Sequence, residues 1–345
     1  MPTNRIDAAG AVDVHGLDAV ALEPPEVASW LARRTSAAGD WDPRALAEAK
    51  GGTRVSVVLP ARDEERTVGR IVTTIREVCA ERLGLVDEIV VVDSRSTDAT
   101  ARTAAAAGAT VVHQDEVLPE LGRGEGKGEA LWKSLYATTG DIIVFIDADL
   151  RDFGPHFVTG LLGPLLTDPS VGYVKGFYDR PLLGSSGERT GSGGRVTELV
   201  ARPLLGLHWP LLTGFVQPLG GEYAGRRSLL ERVPFVSGYG VELGLLIDLL
   251  DAHGLDALAQ VDLGVRTHSH QSVHALGAMA AQLQLTAWSR LERGGWLVAS
   301  AAPGRRLIQF ERTERGHVPV PRDIALSERP PMIGVPAYAA LARGR

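Results

Sequence analysis

The feature that most constrains this chain is an alternation, between residues 55 and 147, of short apolar runs with segments of helical spacing. Residues 55–59 (VSVVL) form a β-branched run closed by Pro60, which predicts a parallel strand buried on both faces. Val68, Ile71, Val72, Ile75 and Val78 then recur at helical spacing within residues 67–81. Residues 88–92 (EIVVV) predict a second strand ending at Asp93, 97–107 an Ala-rich helix, 110–113 (TVVH) a third strand, 128–138 a helix, and 141–146 (DIIVFI) a fourth strand running into Asp147. Strands and helices joined by short links predict an α/β layer with a mostly parallel sheet. Ligands of such sheets sit beyond the carboxyl ends of the strands. The polar clusters PARDEE, DSRSTD and DADLRD all fall there.

A chain of 345 residues has room for about two domains or one large one. The pattern divides it into an N-terminal extension at 1–50 holding one helix (PPEVASWLARR), a regular half at 51–150, a second half at 151–300, and a basic, proline-containing C-terminal arm at 301–345. The second half predicts strands over 171–178 and 257–265, and helices near 195–205, 243–253 and 276–291. No repeat of fixed period is present. With 36 basic against 42 acidic residues the net charge is −6, which argues against a protein built to coat nucleic acid. One cysteine, Cys79, excludes an intramolecular disulfide and a Cys-rich zinc module and fits a reducing compartment. The first residues lack a basic segment followed by an apolar one, so a cytoplasmic location is expected. Residues 203–221 carry no charge over 19 residues, long enough to span a bilayer, but Pro203, Pro210, Pro218 and four glycines would break an isolated helix. A buried, bent segment is expected instead.

Asp147 and Asp149 flank Ala148 where an apolar strand gives way to loop, and two such carboxylates suit Mg²⁺ or Mn²⁺. Alone, the pair fits a solvated loop or helix cap equally well. His268, after a predicted strand, has a ring nitrogen that would complete such a shell, although a lone histidine is more often structural. Lys127 stands between Gly126 and Gly128 before a helix, as a phosphate contact or within a flexible loop; the spacing is not that of a Walker A loop. Gly193, Gly194, Arg195 and Thr197 open another helix start suited to an anion.

Taken together, PARDEE, DSRSTD, GKGEALW and DADL resemble, in order and spacing, the donor half of nucleotide-sugar-dependent glycosyltransferases of the GT-A fold. GGRVTELVARPLL, QPLGGEY, GYGVELGLLID and AQVDLGVRTH narrow the resemblance to actinobacterial glucosyl-3-phosphoglycerate synthases, over about residues 50–290. That resemblance implies a Rossmann-like donor half at 51–150 and a mixed acceptor-binding half at 151–300. It implies metal-dependent transfer of glucose from UDP-glucose to 3-phosphoglycerate with retention, by a homodimer using Mg²⁺ or Mn²⁺. Pro60, Ala61, Arg62 and Glu64 would line the nucleoside site, with Asp93 and Ser94 on the base side and Lys127 on the donor nucleotide. Asp149 and His268 would hold the ion, supported by Asp147; Glu242 would contact the sugar, with Tyr239 nearby. Gly194, Arg195 and Thr197 would hold 3-phosphoglycerate. Three positions depart from the family pattern: Ala148 for serine, Arg62 for an apolar residue, and His270 for asparagine beside the acceptor.

The family also leaves rivals. A mannosyl-3-phosphoglycerate synthase using GDP-mannose would share the acceptor. A transferase acting on polyprenyl phosphate should carry a membrane anchor, and none is seen. A sugar nucleotidyltransferase should carry a Gly-rich N-terminal phosphate loop, also not seen. An inactive nucleotide-sugar binding module would have no need of Asp149, His268, Lys127 and Arg195 together. Glu242 is the one carboxylate that a double displacement could use; without it, the acceptor attacks on the leaving-group face.

Overall fold

The computed structural model describes residues 24–179, 182–183, 189–190, 194–266, 272–314 and 316–342. The chain begins with α1 (Pro25–Arg34), β1 (Thr35–Ala37) and α2 (Pro43–Lys50). The regular alternation follows: β2 (Val55–Ala61), α3 (Val68–Thr74), β3 (Glu88–Asp93), α4 (Thr100–Ala107), β4 (Thr110–His113), α5 (Lys127–Ala137) and β5 (Ile142–Phe145). Then come α6 (His156–Thr167), β6 (Tyr173–Asp179), the two-residue strands β7 (Leu182–Leu183) and β8 (Arg189–Thr190), α7 (Arg202–His208), β9 (Tyr223–Arg226), α8 (Arg227–Leu230) and β10 (Phe235–Val236). The last elements are α9 (Val241–His253), β11 (Leu258–Val265), α10 (Val273–Arg293), the hairpin β12 (Arg306–Thr313) and β13 (Gly316–Asp323), β14 (Glu328–Arg329) and α11 (Pro336–Ala342).

Eight strands form one sheet in the order β1-β11-β6-β9-β5-β2-β3-β4. All neighbours are parallel except β9, which runs antiparallel to both β5 and β6. Alternate residues of the strands feed two cores. Val58, Val90, Val92, Ile143, Phe145 and Tyr223 pack under α1, α5, α9 and α10; Val57, Leu59, Val91, Val144, Val174 and Val261 pack under α2, α3, α4 and α6. The result is a three-layer α/β/α sandwich. In the β4-β3-β2-β5 part, the chain reverses direction across the sheet between β2 and β5. This places a crevice beyond the ends of those two strands.

Several elements were not expected, among them α2, the β12–β13 hairpin and α11, and three others shape the central layers. Helix α6 is buried along nearly its whole length, so it shows no amphipathic period; a Cβ at Gly163 would lie 2.3 Å from the Trp41 ring. Strand β9 has four residues, too few for a periodic signal. Strand β1 makes residues 35–37 the edge of the sheet, and Trp30 in α1 is fully buried, donating from Nε1 to Leu258 O at 2.8 Å. The bent reading of residues 203–221 agrees with the structure. Helix α7 gives way at Trp209 to a 3₁₀ turn at Pro210–Gly214, with Leu205, Leu212 and Phe215 buried. Among the described residues no helix is long and apolar enough to cross a membrane.

Candidate active site

The loops after β2 and β3 are laced together. Ser94 N donates to Ala61 O at 2.8 Å, Asp63 N to Ser96 Oγ at 3.0 Å, Thr97 N to Asp63 Oδ1 at 2.7 Å, and Glu64 N to Thr100 Oγ1 at 2.7 Å. Asp63 (φ 58°) and Arg95 (φ 64°) take left-handed conformations to allow this, a strain typical of built sites. Arg95 is locked by a bidentate pair to Asp115 at 2.8 and 2.9 Å. These loops bring Pro60, Ala61, Arg62, Glu64 and Ser94 to one wall of a cleft of about 490 Å³. Asp93 is buried behind that wall rather than in it, with Oδ1 unpartnered.

The floor is an ion-pair cluster. Lys127, the first residue of α5, places Nζ 2.5 Å from Asp147 Oδ1 and 3.0 Å from Glu242 Oε1, in the first turn of α9. Burial works against its charge, but Asp147 and Glu242 outweigh that and hold Lys127 above the ordinary lysine range. The flanking glycines answer a different need from the one the sequence suggested. A Cβ at Gly128 would lie 1.8 Å from Val236 O, and one at Gly126 would lie 2.7 Å from the Gly238 backbone. They let α5 dock against β10 and the turn before α9. Gly221 serves the cluster directly, since its Cβ would fall 2.0 Å from Asp147 Oδ2 and 2.8 Å from Lys127 Nζ. The C-terminal arm fixes α5 from behind: Arg329 makes a bidentate pair with the buried Glu129 at 2.6 and 2.8 Å, and Trp132 Nε1 donates to Pro330 O at 2.8 Å.

Two functional groups escaped the sequence reading. Arg266, at the end of β11, donates from Nη1 to Tyr178 Oη at 2.6 Å and to Glu222 Oε1 at 3.0 Å, and from Nη2 to Asp149 Oδ1 at 3.0 Å. Asp147 Oδ2 lies 3.5 Å from the same Nη2. Burial opposes this charge too, and Glu222, Asp147 and Asp149 override it. Glu222, in QPLGGEY, is fully buried; burial and Asp147 raise its pKa, against the pull of Arg266 and Lys127. The only signal for either was a charged residue inside an otherwise apolar motif. Glu64 is pushed up to about 7 by burial and by the neighbouring Asp149 and Asp147 charges.

Gly194, Arg195 and Thr197 line the same cleft, as do Tyr239, Glu242 and, from α10, Leu276 and Met279. Apart from Asp93, the described residues expected to serve donor, acceptor and metal line one cavity, Asp147, Ala148 and Asp149 included. His268 and His270 lie outside the described residues. Among the described residues no three His, Cys, Asp or Glu side chains gather as a metal set.

The profile of glycosyl transferase family 2 matches residues 56–202. The glucosyl-3-phosphoglycerate synthase of Mycolicibacterium smegmatis is 50% identical over 303 residues, covering 88% of this chain and 97% of that protein. Among solved structures, mannosyl-3-phosphoglycerate synthase from Rubrobacter xylanophilus superposes with a TM-score of 0.83 at 40% identity, covering 89% of this chain and 97% of that one. Glucosyl-3-phosphoglycerate synthase from Mycobacterium tuberculosis, in complex with Mn²⁺, uridine diphosphate and glucosyl-3-phosphoglycerate, superposes with a TM-score of 0.73 at 47% identity, covering 85% and 95%.

Proposed function

The chain belongs to the glucosyl-3-phosphoglycerate synthases, and from that premise we propose that it transfers glucose from UDP-glucose to the hydroxyl of 3-phosphoglycerate with retention. One observation carries the reading. The Asp147–Lys127–Glu242 cluster and Gly194, Arg195 and Thr197 line one cleft, which offers cationic groups both to a donor diphosphate and to an anionic acceptor.

In this reading the nucleoside rests on Pro60, Ala61, Arg62, Glu64 and Ser94, with Asp93 behind, and Lys127 meets the diphosphate. The donor set fits a hard divalent cation. Asp149 and Asp147 are carboxylates at a strand end, and in the structure two cationic side chains, Arg266 and Lys127, gather on them. Asp149 and Asp147, with His268, would hold Mg²⁺ or Mn²⁺, whose charge offsets the negative charge developing on the leaving diphosphate. Lys127 and Arg266 add fixed positive charge on the same side, in a partly buried setting where it acts strongly. Glu242 orients sugar hydroxyls, with Tyr239 beside it; its pairing with Lys127 at 3.0 Å suits that role better than the role of nucleophile. Arg195 forks onto the acceptor's phosphate or carboxylate, helped by Gly194 and Thr197; the family resemblance assigns His270 to the acceptor too. The acceptor hydroxyl then enters on the face that the diphosphate leaves, giving up its proton to the departing phosphate oxygen.

The same reading takes the enzyme as a cytoplasmic homodimer. A single cysteine, free and buried, agrees with the compartment, and light scattering in solution checks the assembly. The similarity to the Rubrobacter enzyme favours mannosyl transfer as the second reading. UDP-glucose, GDP-glucose and GDP-mannose, each tested against 3-phosphoglycerate with and without Mg²⁺ or Mn²⁺, separate the two by nucleotide release. Metal-dependent release from UDP-glucose is expected; release from GDP-mannose alone transfers the assignment to mannose, and none from any donor refutes both.

A further inference from the structure

Beneath the floor of the cleft lies a buried polar cell that the proposed transfer does not use. Tyr173 and Lys175 flank Val174 on β6, so both side chains leave the sheet toward α5 and α9, and Tyr223 of β9 stands opposite Lys175 in the register. Lys175 is 1% exposed, and Tyr173 and Tyr223 are fully buried. The Lys175 ammonium sits 4.4 Å from the centre of the Tyr223 ring. Neither Lys175 Nζ nor either tyrosine hydroxyl has a hydrogen-bond partner. Buried polar groups are nearly always paired, so three unmatched atoms in one cell signal a purpose other than stability.

The groups that face this cell come from every neighbouring element. Glu242 belongs to α9, Lys127 to α5, Glu222 and Tyr223 to the start of β9, Asp147 to the end of β5, and Tyr173 to β6 itself. Burial pulls Lys175 down to about 7, Lys127 pushes the same way, and Glu242, Glu222 and Asp147 pull it up. In the ligand-free protein, then, Lys127 already answers Asp147 and Glu242, and a second ammonium behind it is only partly charged near neutral pH.

We propose that Lys175 is a positioning residue for the donor site, a buried, unpaired amine that takes up a proton when a nucleotide diphosphate engages Lys127 and so keeps Glu242 and Asp147 in place. The proton comes from solvent, and no bond other than this N–H forms. The inference rests on the reading of Lys127 as the diphosphate contact.

Calorimetry of UDP binding in the presence of Mn²⁺, in two buffers of different ionisation enthalpy near pH 7.5, tests it. The wild-type protein should take up about 0.7 proton more per UDP than Lys175→Met, as a group moving from about 7 to well above the working pH requires. Relative to Lys175→Met, its UDP affinity should accordingly fall about eight-fold between about pH 7.5 and 8.5. Glu64 titrates in the same range in both proteins and cancels in the difference. Lys175→Met should melt no lower than wild type, since an unpaired amine leaves a buried place. Should it fail to fold, Lys175→Arg, permanently charged, must bind without the extra proton uptake. Identical uptake and identical pH slope in wild type and a folded variant overturn the inference alone. A wild-type protein that binds no UDP overturns the donor-site reading and takes the inference with it.

Discussion

Asp149→Ala separates chemistry from folding more cleanly than any other change in the cleft. In the structure its carboxylate accepts from Arg266 Nη2 at 3.0 Å, yet its side chain is 48% exposed. An ion pair that open to solvent contributes about 0–1 kcal/mol. Arg266 also keeps Glu222, Tyr178 and Asp147 as partners, so no buried charge is orphaned. The melting temperature should therefore shift by only about 2–4 °C or less. Activity should behave differently. Removing one group that stabilises a developing anion costs about 10²–10³ in rate, or about 2.7–4 kcal/mol, and weakening the hold on a divalent ion adds to that. The assay is UDP release from UDP-glucose and 3-phosphoglycerate across an Mn²⁺ titration, alongside thermal unfolding of the same preparation. Turnover within ten-fold of wild type, in a folded protein with an unchanged metal curve, refutes the assignment of Asp149 to the ion. Loss of activity together with a collapsed melting temperature refutes the claim that its pairing with Arg266 is dispensable.

Arg195→Ala should lower acceptor kcat/KM by roughly 10–150-fold while UDP affinity holds, and Arg195→Lys should recover only part, because a point charge lacks the planar fork; steady-state kinetics with each substrate varied in turn read both. Gly221→Ala should cut turnover sharply with little change in the fold elsewhere, since its Cβ would fall 2.0 Å from Asp147 Oδ2 and must displace the Asp147–Lys127 pair; wild-type kinetics from this variant would show the pair to be idle. For Glu64, the folded pKa of about 7 lies above the ordinary 4.5, so the folded state binds its proton more tightly than the unfolded state does. The stability it contributes is thus fully present below about 4.5 and lost as pH rises through about 7, and Glu64→Gln should flatten the melting temperature over that window.

How much of this was legible depended on how locally each feature is encoded. The β2–β5 alternation was readable because β2 and β5 are apolar runs buried on both faces and α3 and α4 are covered on one side only, which imprints a period. The candidate site was readable where it sits at strand ends, as with Pro60, Ser94 and Asp147, whereas Asp93 is buried behind the cleft. Helix α6 was not, because burial on all sides erases periodicity, nor was β9, whose four residues are set by the two strands that receive them. Arg266 and Glu222 find each other across 44 residues, and no spacing rule reaches that far. For Lys127 the position was legible and the role of its glycines was not, since the backbone they admit, at 236–238, belongs to an element far along the chain.

The antiparallel strand β9 has a consequence for how the protein is made. By residue 145 the chain has synthesised β2, β3, β4 and β5, a sheet whose β5 edge is open. Strand β6 follows but bonds to β9 and β11, not to β5, so nothing covers that edge until residues 223–226 leave the ribosome. For more than seventy residues of translation the nascent chain exposes the row of unpaired backbone groups that invites edge-to-edge aggregation. Strand β9 is the zip that closes it, and truncations ending before Tyr223 would keep only the β4-β3-β2-β5 sheet, with β1 and β6 left without partners because β11 is lost as well.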